Sequence, residues 1–433
     1  MRGVILASGM GRRMGGIPKG LVNVGGRPIL YRTIRLLMEE GVEEFYMVVN
    51  PRYEEHYRKF VRENFSRRGK FHFIVNARPE RENGYSLYLI RGLFEGQFVL
   101  TMSDHVYSRS FVKRAFAGYD GEPSAVIDRN PLYVDVEEAT KIECESGRVV
   151  LAGKGLGEYT GLDTGFFFLS AEALDNVEEF VLENDKVPLS SILPLMNLKC
   201  LEVSEEFWMD VDTPEEVKRA TWLLIKDATK GRGDGWVSRL LNRHISRRIT
   251  YLLIDYLTPN GATIISFLLG ILSSAVAMIN PPIGGILYQI HSIFDGVDGE
   301  IARVRMMESP TGGWMDSILD RVVDFSFLMA LALYLSPPVS FLPWILLSIF
   351  GTLMVSYTSE RFRGAFCRDA YSSIPHLSLF PGKRDERIFM IMLFSIFGWI
   401  GALFVFLAIF TNLKVLWNFY WMLRWAGDWH ENL

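Results

Sequence analysis

The sequence predicts a soluble α/β domain with a Rossmann-like mixed sheet, fused to an all-α polytopic membrane domain with six transmembrane helices. Hydrophobicity is unevenly distributed along the 433 residues. Residues 1–225 mix short apolar strands with charged helical stretches, as soluble α/β domains do. Beyond them, three long segments contain no Asp, Glu, Lys or Arg: 261–294, 325–359 and 388–413. A membrane-spanning helix needs about 20 apolar residues, so these segments predict membrane helices.

The apolar segments divide into six predicted spans, with a linker before them. We predict the spans at 261–279, 284–305, 313–335, 339–360, 387–400 and 402–424, the last division resting only on Gly398 or Gly401. Residues 226–258 begin with KDATKGRGDGW, which is typical of a linker, and the membrane domain is predicted at 259–433.

A basic amphipathic helix is predicted just before the first span. Arg239, Arg243 and Arg247 recur every four residues, which is typical of a helix lying at the surface of an anionic leaflet. A solvated helix packed on the cytosolic domain is the alternative. Positive charge before the first span predicts that this side faces the cytoplasm.

Composition excludes several classes of protein. A formal net charge of −4 gives no sign of a nucleic-acid partner. Cys144, Cys200 and Cys367 are widely spaced, odd in number and free of CxxC pairs, which argues against a disulfide framework or a zinc site and indicates a reducing compartment. The first residues, MRGVILASG, lack an apolar stretch of signal-peptide length, so we expect the first domain in the cytosol.

A glycine-rich loop follows the first predicted strand, residues 3–7. In such a loop backbone N–H groups approach phosphates closely, and cationic side chains hold their charge. The order G-x-G-x-R followed by P-K resembles the sugar-phosphate nucleotidyltransferase family. That resemblance implies that the triphosphate is bound by Gly9, Gly11, Arg12, Arg13 and Lys19, with Lys19 also catalytic. The family usually has Thr or Ser where this chain has Arg12, so a non-catalytic binding module is the alternative.

Aspartates of this half are candidate metal ligands. Asp104 follows an apolar strand pattern ending at Met102, and open α/β sheets place ligand chemistry at such strand ends. Asp212 lies in WMDVDTPE, which resembles the family's closing D-x-D-[ST] segment, and Asp210 is the alternative ligand. Asp104 and Asp212 would hold one or two Mg²⁺ or Mn²⁺ ions on the phosphates. Thr213 also fits a helix N-cap, and capping by Thr213 does not exclude metal binding by Asp212.

Two further segments concern the substrates of the first half. NGYSL, residues 83–87, resembles the base-recognition segment of cytidylyltransferases that act on small polyol or choline phosphates. The resemblance implies that cytosine lies against Gly84 and Ser86, whereas a turn leading into a helix is the alternative. LDTGF, residues 162–166, fits the acceptor-side strand of the same fold, so Asp163 is predicted to hold polyol hydroxyl groups.

Four aspartates lie in the second and third predicted spans: Asp295, Asp298, Asp316 and Asp320. Residues three or four apart share a helical face, and the short loop between the spans predicts two adjacent helices. Facing carboxylates repel unless cations lie between them, and oxygen-only ligands favour Mg²⁺, Mn²⁺ or Ca²⁺ over zinc. Two such ions suit phosphoryl chemistry. A salt-bridge cluster with Arg303, Arg305 and Arg321 is the alternative.

The complete pattern, D-x2-D-G-x2-A-R-x8-G-x3-D-x3-D, resembles the CDP-alcohol phosphotransferase family without a departure. The resemblance implies that Asp295, Asp298 and Asp316 bind two metal ions, and that Asp320 is the general base and also contacts a metal. The implied nucleotide-binding residues are Gly299, Ala302, Arg303 and Gly312, with Asn260 and Thr263 of the P-N-x-x-T element. Taken alone, the P-N-x-x-T element is equally consistent with an Asn or Thr that caps a helix and does not bind the nucleotide.

A basic segment lies between the fourth and fifth spans. Arg361, Lys383, Arg384 and Arg387 are candidates to bind an acceptor that bears phosphate, although positive-inside topology explains part of this charge.

The whole layout resembles a family of bifunctional enzymes that fuse an inositol-phosphate cytidylyltransferase to a synthase using its product. The resemblance rests on stretches such as PKGLVNVGGRPIL and PGKRDERIF. It implies that CTP and inositol 1-phosphate give a CDP-alcohol, CDP-inositol, whose phosphoinositol group then passes to a second inositol 1-phosphate with release of CMP. It also implies a lipid bilayer and a homodimer through the membrane domain. A phospholipid synthase using CDP-diacylglycerol is the rival.

Overall fold

The computed structural model describes residues 1–11, 15–229 and 235–431. They form two compact units, Met1–Asp227 and Ala228–Leu433. Arg12 and Arg13, two of the predicted triphosphate ligands, lie outside the described residues.

The first unit contains a mixed nine-stranded sheet, as the sequence predicts. The strands of the described residues are β1 Arg2–Ala7, β2 Asn23–Val24, β3 Arg27–Pro28, β4 Glu44–Val49, β5 Lys70–Val75, β6 Gln97–Met102, β7 His105–Tyr107, β8 Ser124–Asp128, β9 Lys141–Glu145, β10 Arg148–Gly153, β11 Gly161–Ser170, β12 Lys199–Glu202 and β13 Trp208–Asp210. The large sheet has the order β5-β4-β1-β6-β11-β8-β12-β10-β9, while β13 pairs with β7 and β2 with β3.

Helices cover this sheet. They are α1 Ile29–Glu39, α2 Glu54–Phe65, α3 Glu82–Tyr88, α4 Arg109–Gly118, α5 Glu178–Glu183, α6 Leu189–Ile192 and α7 Pro214–Asp227, with 3-10 turns at Lys19–Leu21, Pro79–Arg81, Ala171–Val177 and Leu193–Met196. Strands β1 and β4 are buried over five consecutive residues, because parallel strands covered on both faces read as continuous apolar runs. Since β1 and β6 run parallel, the glycine loop after Ala7 and the acidic segment after Met102 begin at the same edge of the sheet.

The argument from cysteine spacing against a disulfide is wrong. Cys144 and Cys200 form a disulfide across 56 residues of sequence, and Cys367 is free and exposed. Strand β10 pairs with β9, which carries Cys144, and with β12, which carries Cys200. The two thiols therefore meet through a sheet order that their spacing in the sequence does not reveal.

The second unit is helical. Its helices are α8 Arg243–Leu253, α9 Pro259–Ala277, α10 Pro281–Val304, α11 Pro310–Leu335, α12 Leu342–Phe366, α13 Ala370–Ser373, α14 Arg384–Ile396 and α15 Ile400–Glu431, with short turns at Ser238–Asn242, Val339–Phe341 and Pro375–Ser378. Helices thus occupy all six predicted spans. The break between the last two lies at Gly398, whose φ of 69° is a left-handed conformation that favours glycine.

Three of these helices, within the described residues, are long and apolar enough to cross a membrane: Pro259–Ala277, Val339–Phe366 and Ile400–Gly427. Helices α10 and α11 have 24 and 26 residues but carry the aspartates, and α14 has only 13. The structure therefore supports a membrane domain, while the prediction of six spans goes beyond these three helices.

Small residues let the helices around the aspartates approach closely. A Cβ atom on Gly270 of α9 would lie 2.5 Å from a methyl carbon of Val323 on α11, and one on Gly284 of α10 would lie 2.5 Å from Ala277 of α9. Helix association in lipid relies on such close packing. It fixes α10 and α11 beside α9 and so determines where their carboxylates meet.

The predicted basic helix does not present Arg239, Arg243 and Arg247 as one free face. Arg243 donates to the wholly buried Glu300 of α10 at 3.0 Å, and Ser246 and Thr250 donate to the same carboxylate at 2.7 and 2.6 Å. Arg239 and Leu240, in the turn before α8, are exposed, as are Ile245 and Leu252 on α8 itself. One face of α8 is therefore bound to α10, while apolar side chains remain exposed on another.

We predict that non-reducing peptide mapping of the full chain links Cys144 to Cys200 and finds Cys367 alkylated. Because the bond closes a long loop, reduction should lower the free energy of unfolding by about 2–4 kcal/mol. Cys367→Ser is the control and should leave the unfolding midpoint unchanged. Alkylation of all three cysteines without reductant would contradict the pairing.

Candidate active sites

Lys19 lies between two aspartates in the first unit. Its Nζ is 3.2 Å from Oδ2 of Asp104 and forms a short ion pair with Asp212. Three separate elements bring these groups together: the turn at Lys19–Leu21, the end of β6 and the segment after β13. The pairing of β13 with β7 sets Asp210 opposite His105, and the Val211 N–H donates to the Asp104 carbonyl at 2.9 Å.

The charges of this cluster stabilise one another. Burial alone would lower the pKa of Lys19, but the charges and hydrogen bonds of Asp104 and Asp212 outweigh it and raise that pKa. Burial would likewise raise the pKa of Asp104, yet His105, 2.9 Å from Oδ1, and Lys19 hold it well below its ordinary value. Asp104 therefore offers carboxylate oxygens at neutral pH, and carboxylate oxygens are suitable ligands for Mg²⁺.

A cavity of about 410 Å³ adjoins this cluster through His105 and Asp210. Asp163, for which the sequence predicts an acceptor-side role, lines this cavity, and burial raises the pKa of Asp163 to about 6. Lys154 also lines the cavity and supplies a cation. Sequence reasoning missed Lys154, although its position just after β10 and before Asp163 on β11 was a usable signal.

The predicted base-recognition residues, Gly84 and Ser86, are both buried. Ser86 is wholly buried, and its hydroxyl lies 2.7 Å from Ser8 Oγ and accepts from Asn76 Nδ2 at 3.0 Å. A Cβ atom on Gly84 would lie 2.6 Å from the Val187 carbonyl oxygen. The structure therefore places Ser86 behind the start of the glycine loop, where it supports Ser8.

The glycine loop requires glycine at position 11, where the backbone is left-handed. Gly11 has a φ of 60°, and a Cβ atom there would lie 2.5 Å from the carbonyl oxygen of Ile17. The Gly16 N–H donates to the Gly11 carbonyl at 3.1 Å, so these two glycines lie next to each other, while Gly9 is exposed.

In the second unit, Arg384 at the start of α14 reaches the aspartates. Its guanidinium is 2.9 Å from Asp295, 3.0 Å from Asp320 and 3.1 Å from Asp324. Of the predicted alternative, a cluster with Arg303, Arg305 and Arg321, the structure shows Arg321 with its Nη1 3.4 Å from Asp320 Oδ2. Backbone carbonyls accept from Arg303 and Arg305. A distant arginine therefore supplies the main counter-charge.

The carboxylates of α10 and α11 divide between two cavities. Asp298 and Asp316 line one of about 230 Å³, together with all the predicted nucleotide-binding residues of this half: Asn260, Thr263, Gly299, Ala302, Arg303 and Gly312. The Thr263 hydroxyl donates to Asp298 Oδ2 at 2.6 Å. Thr258, not Thr263, caps α9, so the capping alternative does not explain Thr263.

Asp295 and Asp320 line the second cavity, of about 290 Å³. Three of the four predicted acceptor-binding cations lie around it: Lys383, Arg384 and Arg387. The fourth, Arg361, is exposed on α12 and is not part of this lining. Arg243 adds a cation that sequence reasoning assigned to the membrane surface. The cavity therefore combines two carboxylates with several cationic side chains.

The donor set fits divalent cations. Ligand atoms of His291, Asp295 and Asp320 lie within 4.8 Å of one another, and Asp298 and Asp316 line the adjoining cavity. Carboxylate oxygens with few nitrogen ligands suit Mg²⁺ or Mn²⁺. His291 and Asp324 were missed, although Asp324 continues the four-residue spacing of Asp316 and Asp320.

Comparisons with known proteins match both units. Residues 3–134 match a model described as a MobA-like NTP transferase domain, and residues 256–417 match one described as CDP-alcohol phosphatidyltransferase. Two proteins named bifunctional IPC transferase and DIPP synthase, from Aquifex aeolicus and Thermococcus kodakarensis, are each 48% identical over 98% of this chain. The matches cover 99% and 97% of those relatives.

A solved inositol-1-phosphate CTP transferase from T. maritima has 25% identity and a TM-score of 0.45. It covers 50% of this chain and 90% of its own. The match of the second unit to a CDP-alcohol phosphatidyltransferase model, with the three apolar helices, indicates a membrane-bound transferase.

We predict that Arg384→Met lowers the thermal unfolding midpoint of the detergent-solubilised protein in the presence of a chelator. Removing the guanidinium leaves the buried Asp324 and the half-buried Asp295 and Asp320 without their main counter-charge, a loss of about 3–5 kcal/mol. Arg361→Met is the matched control and should change stability by no more than about 0.5 kcal/mol. Equal midpoints for the two variants would show that Arg384 does not neutralise the cluster.

Proposed function

This chain belongs to the family of proteins named bifunctional IPC transferase and DIPP synthase, and from that membership we propose that it makes CDP-inositol and then consumes it. The first unit would convert CTP and inositol 1-phosphate into CDP-inositol and diphosphate. The second would transfer the phosphoinositol group to another inositol 1-phosphate and release CMP. The observation that carries the proposal is the presence in one chain of two carboxylate clusters, each beside a cavity that also contains cationic side chains.

In the first reaction a phosphate oxygen of inositol 1-phosphate attacks the α-phosphorus of CTP, and diphosphate leaves. The charged Lys19 lies between Asp104 and Asp212, where it would stabilise the negative charge that develops during transfer. The cavity of about 410 Å³ would hold the polyol phosphate, with Lys154 toward its phosphate and Asp163 accepting from its hydroxyl groups. Glycines of the loop would contact the triphosphate through backbone N–H groups.

In the second reaction a hydroxyl group of the acceptor attacks the phosphorus that bears inositol in CDP-inositol, and CMP leaves. We assign the smaller cavity, with Asp298, Thr263 and Gly299, to the nucleotide. The cavity with Asp320 and Arg384 would take the acceptor, so its hydroxyl group comes within reach of the Asp320 carboxylate, which accepts the proton. The cationic wall suits an acceptor that bears phosphate.

We assign the metal ligands by the same logic. Asp104 and Asp212 would hold one or two divalent ions, and Asp295, Asp298, Asp316 and Asp320 would hold two, as Mg²⁺ or Mn²⁺. When bound, these ions supply charge neutralisation on the phosphate oxygens and on the leaving group.

We also propose that the second unit spans the bilayer six times, with both sites on the cytoplasmic side. Helices at all six positions and the basic segment before α9 support this topology. The exposed apolar side chains of α8 would lie at the membrane surface. A homodimer through the membrane domain would bury part of the apolar surface that α12 and α15 expose.

Product analysis by mass spectrometry tests the function. Membranes holding the protein should convert CTP and inositol 1-phosphate into diphosphate, CMP and a water-soluble phosphodiester. Supplying CDP-inositol directly separates an inactive first unit from an inactive second one. A lipid-soluble product from CDP-diacylglycerol, with no soluble phosphodiester, would favour a phospholipid synthase instead.

We predict that Asp320→Asn lowers the rate of phosphodiester formation by about 10²–10⁴-fold, as expected for loss of a general base. CTP consumption and diphosphate release should continue at the wild-type rate, which a coupled phosphate assay measures. Loss of both activities would contradict two independent sites.

The reciprocal variant is Lys19→Met, in which a neutral side chain replaces the cation between Asp104 and Asp212. Diphosphate release should fall by at least about a hundredfold, because charge stabilisation of the transition state is lost. Transfer from added CDP-inositol should stay unchanged, and this serves as the internal control. Unaltered diphosphate release would remove Lys19 from the catalytic machinery.

A further inference from the structure

Arg384 has two kinds of partner. Asp295 and Asp320 line the acceptor cavity with it, and in the proposed function both serve the reaction. Asp324 and His291 also contact the guanidinium, at 3.1 and 3.2 Å, yet neither lines that cavity. Arg384 itself is 17% exposed at the side chain. Asp324 and His291 thus hold the guanidinium on its side away from the cavity, and another part of the Arg384 side chain lines the cavity.

Asp324 is fixed by a second buried group. It lies one helical turn beyond Asp320 on α11 and is 2% exposed. The hydroxyl of Tyr288, on α10, donates to Asp324 Oδ1 at 2.6 Å, and Arg384 Nε donates to the same oxygen and, at 3.3 Å, to Oδ2. A carboxylate bonded by two donors has a defined orientation, which it imposes on the planar guanidinium.

His291 supports the guanidinium from a different direction. Its Nδ1 lies 2.9 Å from the Ser266 carbonyl oxygen, which can only accept, so the proton resides on Nδ1. Nε2 is then an acceptor, and it lies 3.2 Å from Arg384 Nη2. The imidazole ring is stacked on Tyr288, with an interplanar angle of 5°. Tyr288 therefore supports both residues that hold the arginine.

We propose that Asp324, supported by Tyr288 and His291, is a positioning residue that orients Arg384 to bind the phosphate of the acceptor. Asp295 and Asp320 are engaged in the reaction, so the orientation of the guanidinium depends on the contacts behind it. This inference rests on the proposed function, in which the acceptor is itself a phosphate ester. Asp324 thereby determines specificity for a phosphorylated acceptor over the same polyol without phosphate.

Asp324→Asn in the full chain keeps the shape of the side chain and removes its charge. With CDP-inositol saturating, the KM for inositol 1-phosphate as acceptor should rise at least about tenfold, as expected for loss of a charged hydrogen bond. The kcat, the KM for CDP-inositol and the rate with unphosphorylated inositol should stay within about twofold. Tyr288→Phe, the milder variant, should shift the acceptor KM in the same direction by about threefold.

A double-mutant cycle separates positioning from a merely structural role. In an Arg384→Met background, Asp324→Asn should no longer change the acceptor KM, because Asp324 acts through the arginine. Asp255→Asn, an exposed site of the same unit, is the matched control and should leave every constant unchanged. Equal effects on donor and acceptor KM, or an effect that persists without Arg384, would overturn the inference.

Titration calorimetry with inorganic phosphate keeps the two proposals apart. Wild-type protein should bind phosphate, and Asp324→Asn should weaken that binding at least about tenfold. Binding that weakens as expected in a protein that forms no phosphodiester would overturn the proposed function and support the positioning role. Phosphodiester formation with unchanged phosphate affinity and acceptor KM in Asp324→Asn would overturn the positioning role alone.

Discussion

Repulsion among the carboxylates of α10 and α11 is the constraint on which the second unit depends. Helices packed closely through Gly270 and Gly284 bring Asp295, Asp298, Asp316 and Asp320 together. Uncompensated charges in such an environment are strongly destabilising. Arg384 supplies part of the compensation, and divalent ions bound by oxygen ligands would supply the rest. The carboxylates whose mutual repulsion destabilises the fold are therefore also the ligands that, with divalent ions, can bind a diphosphate.

The first unit meets the same constraint with a different fold. Parallel strands β1 and β6 deliver the glycine loop and Asp104 to one edge of a sheet, and the pairing of β13 with β7 adds Asp212. Lys19 forms an ion pair with each of the two carboxylates. Each unit thus places acidic groups beside a cavity with cationic walls, which suits chemistry on nucleotide phosphates.

Local periodicity predicted much of this arrangement. The three- and four-residue spacing of the aspartates fixes the helical face on which they lie, and the apolar strand before Asp104 predicts its position at a sheet edge. Long-range partners were not predictable in this way. The disulfide of Cys144 depends on sheet order, and the contact of Arg384 with Asp295 depends on how α14 packs against α10. The burial of Ser86 was not predictable either, because its motif does not reveal that its hydroxyl contacts Ser8 and Asn76.

Anomalous X-ray diffraction from crystals of the full chain, grown with Mn²⁺ and a CDP-alcohol, tests directly whether the aspartates bind divalent ions. We expect anomalous peaks between α10 and α11, in contact with the four aspartates and the diphosphate. Diphosphate bound there without an anomalous peak, or Mn²⁺ found only at other positions, would contradict this expectation.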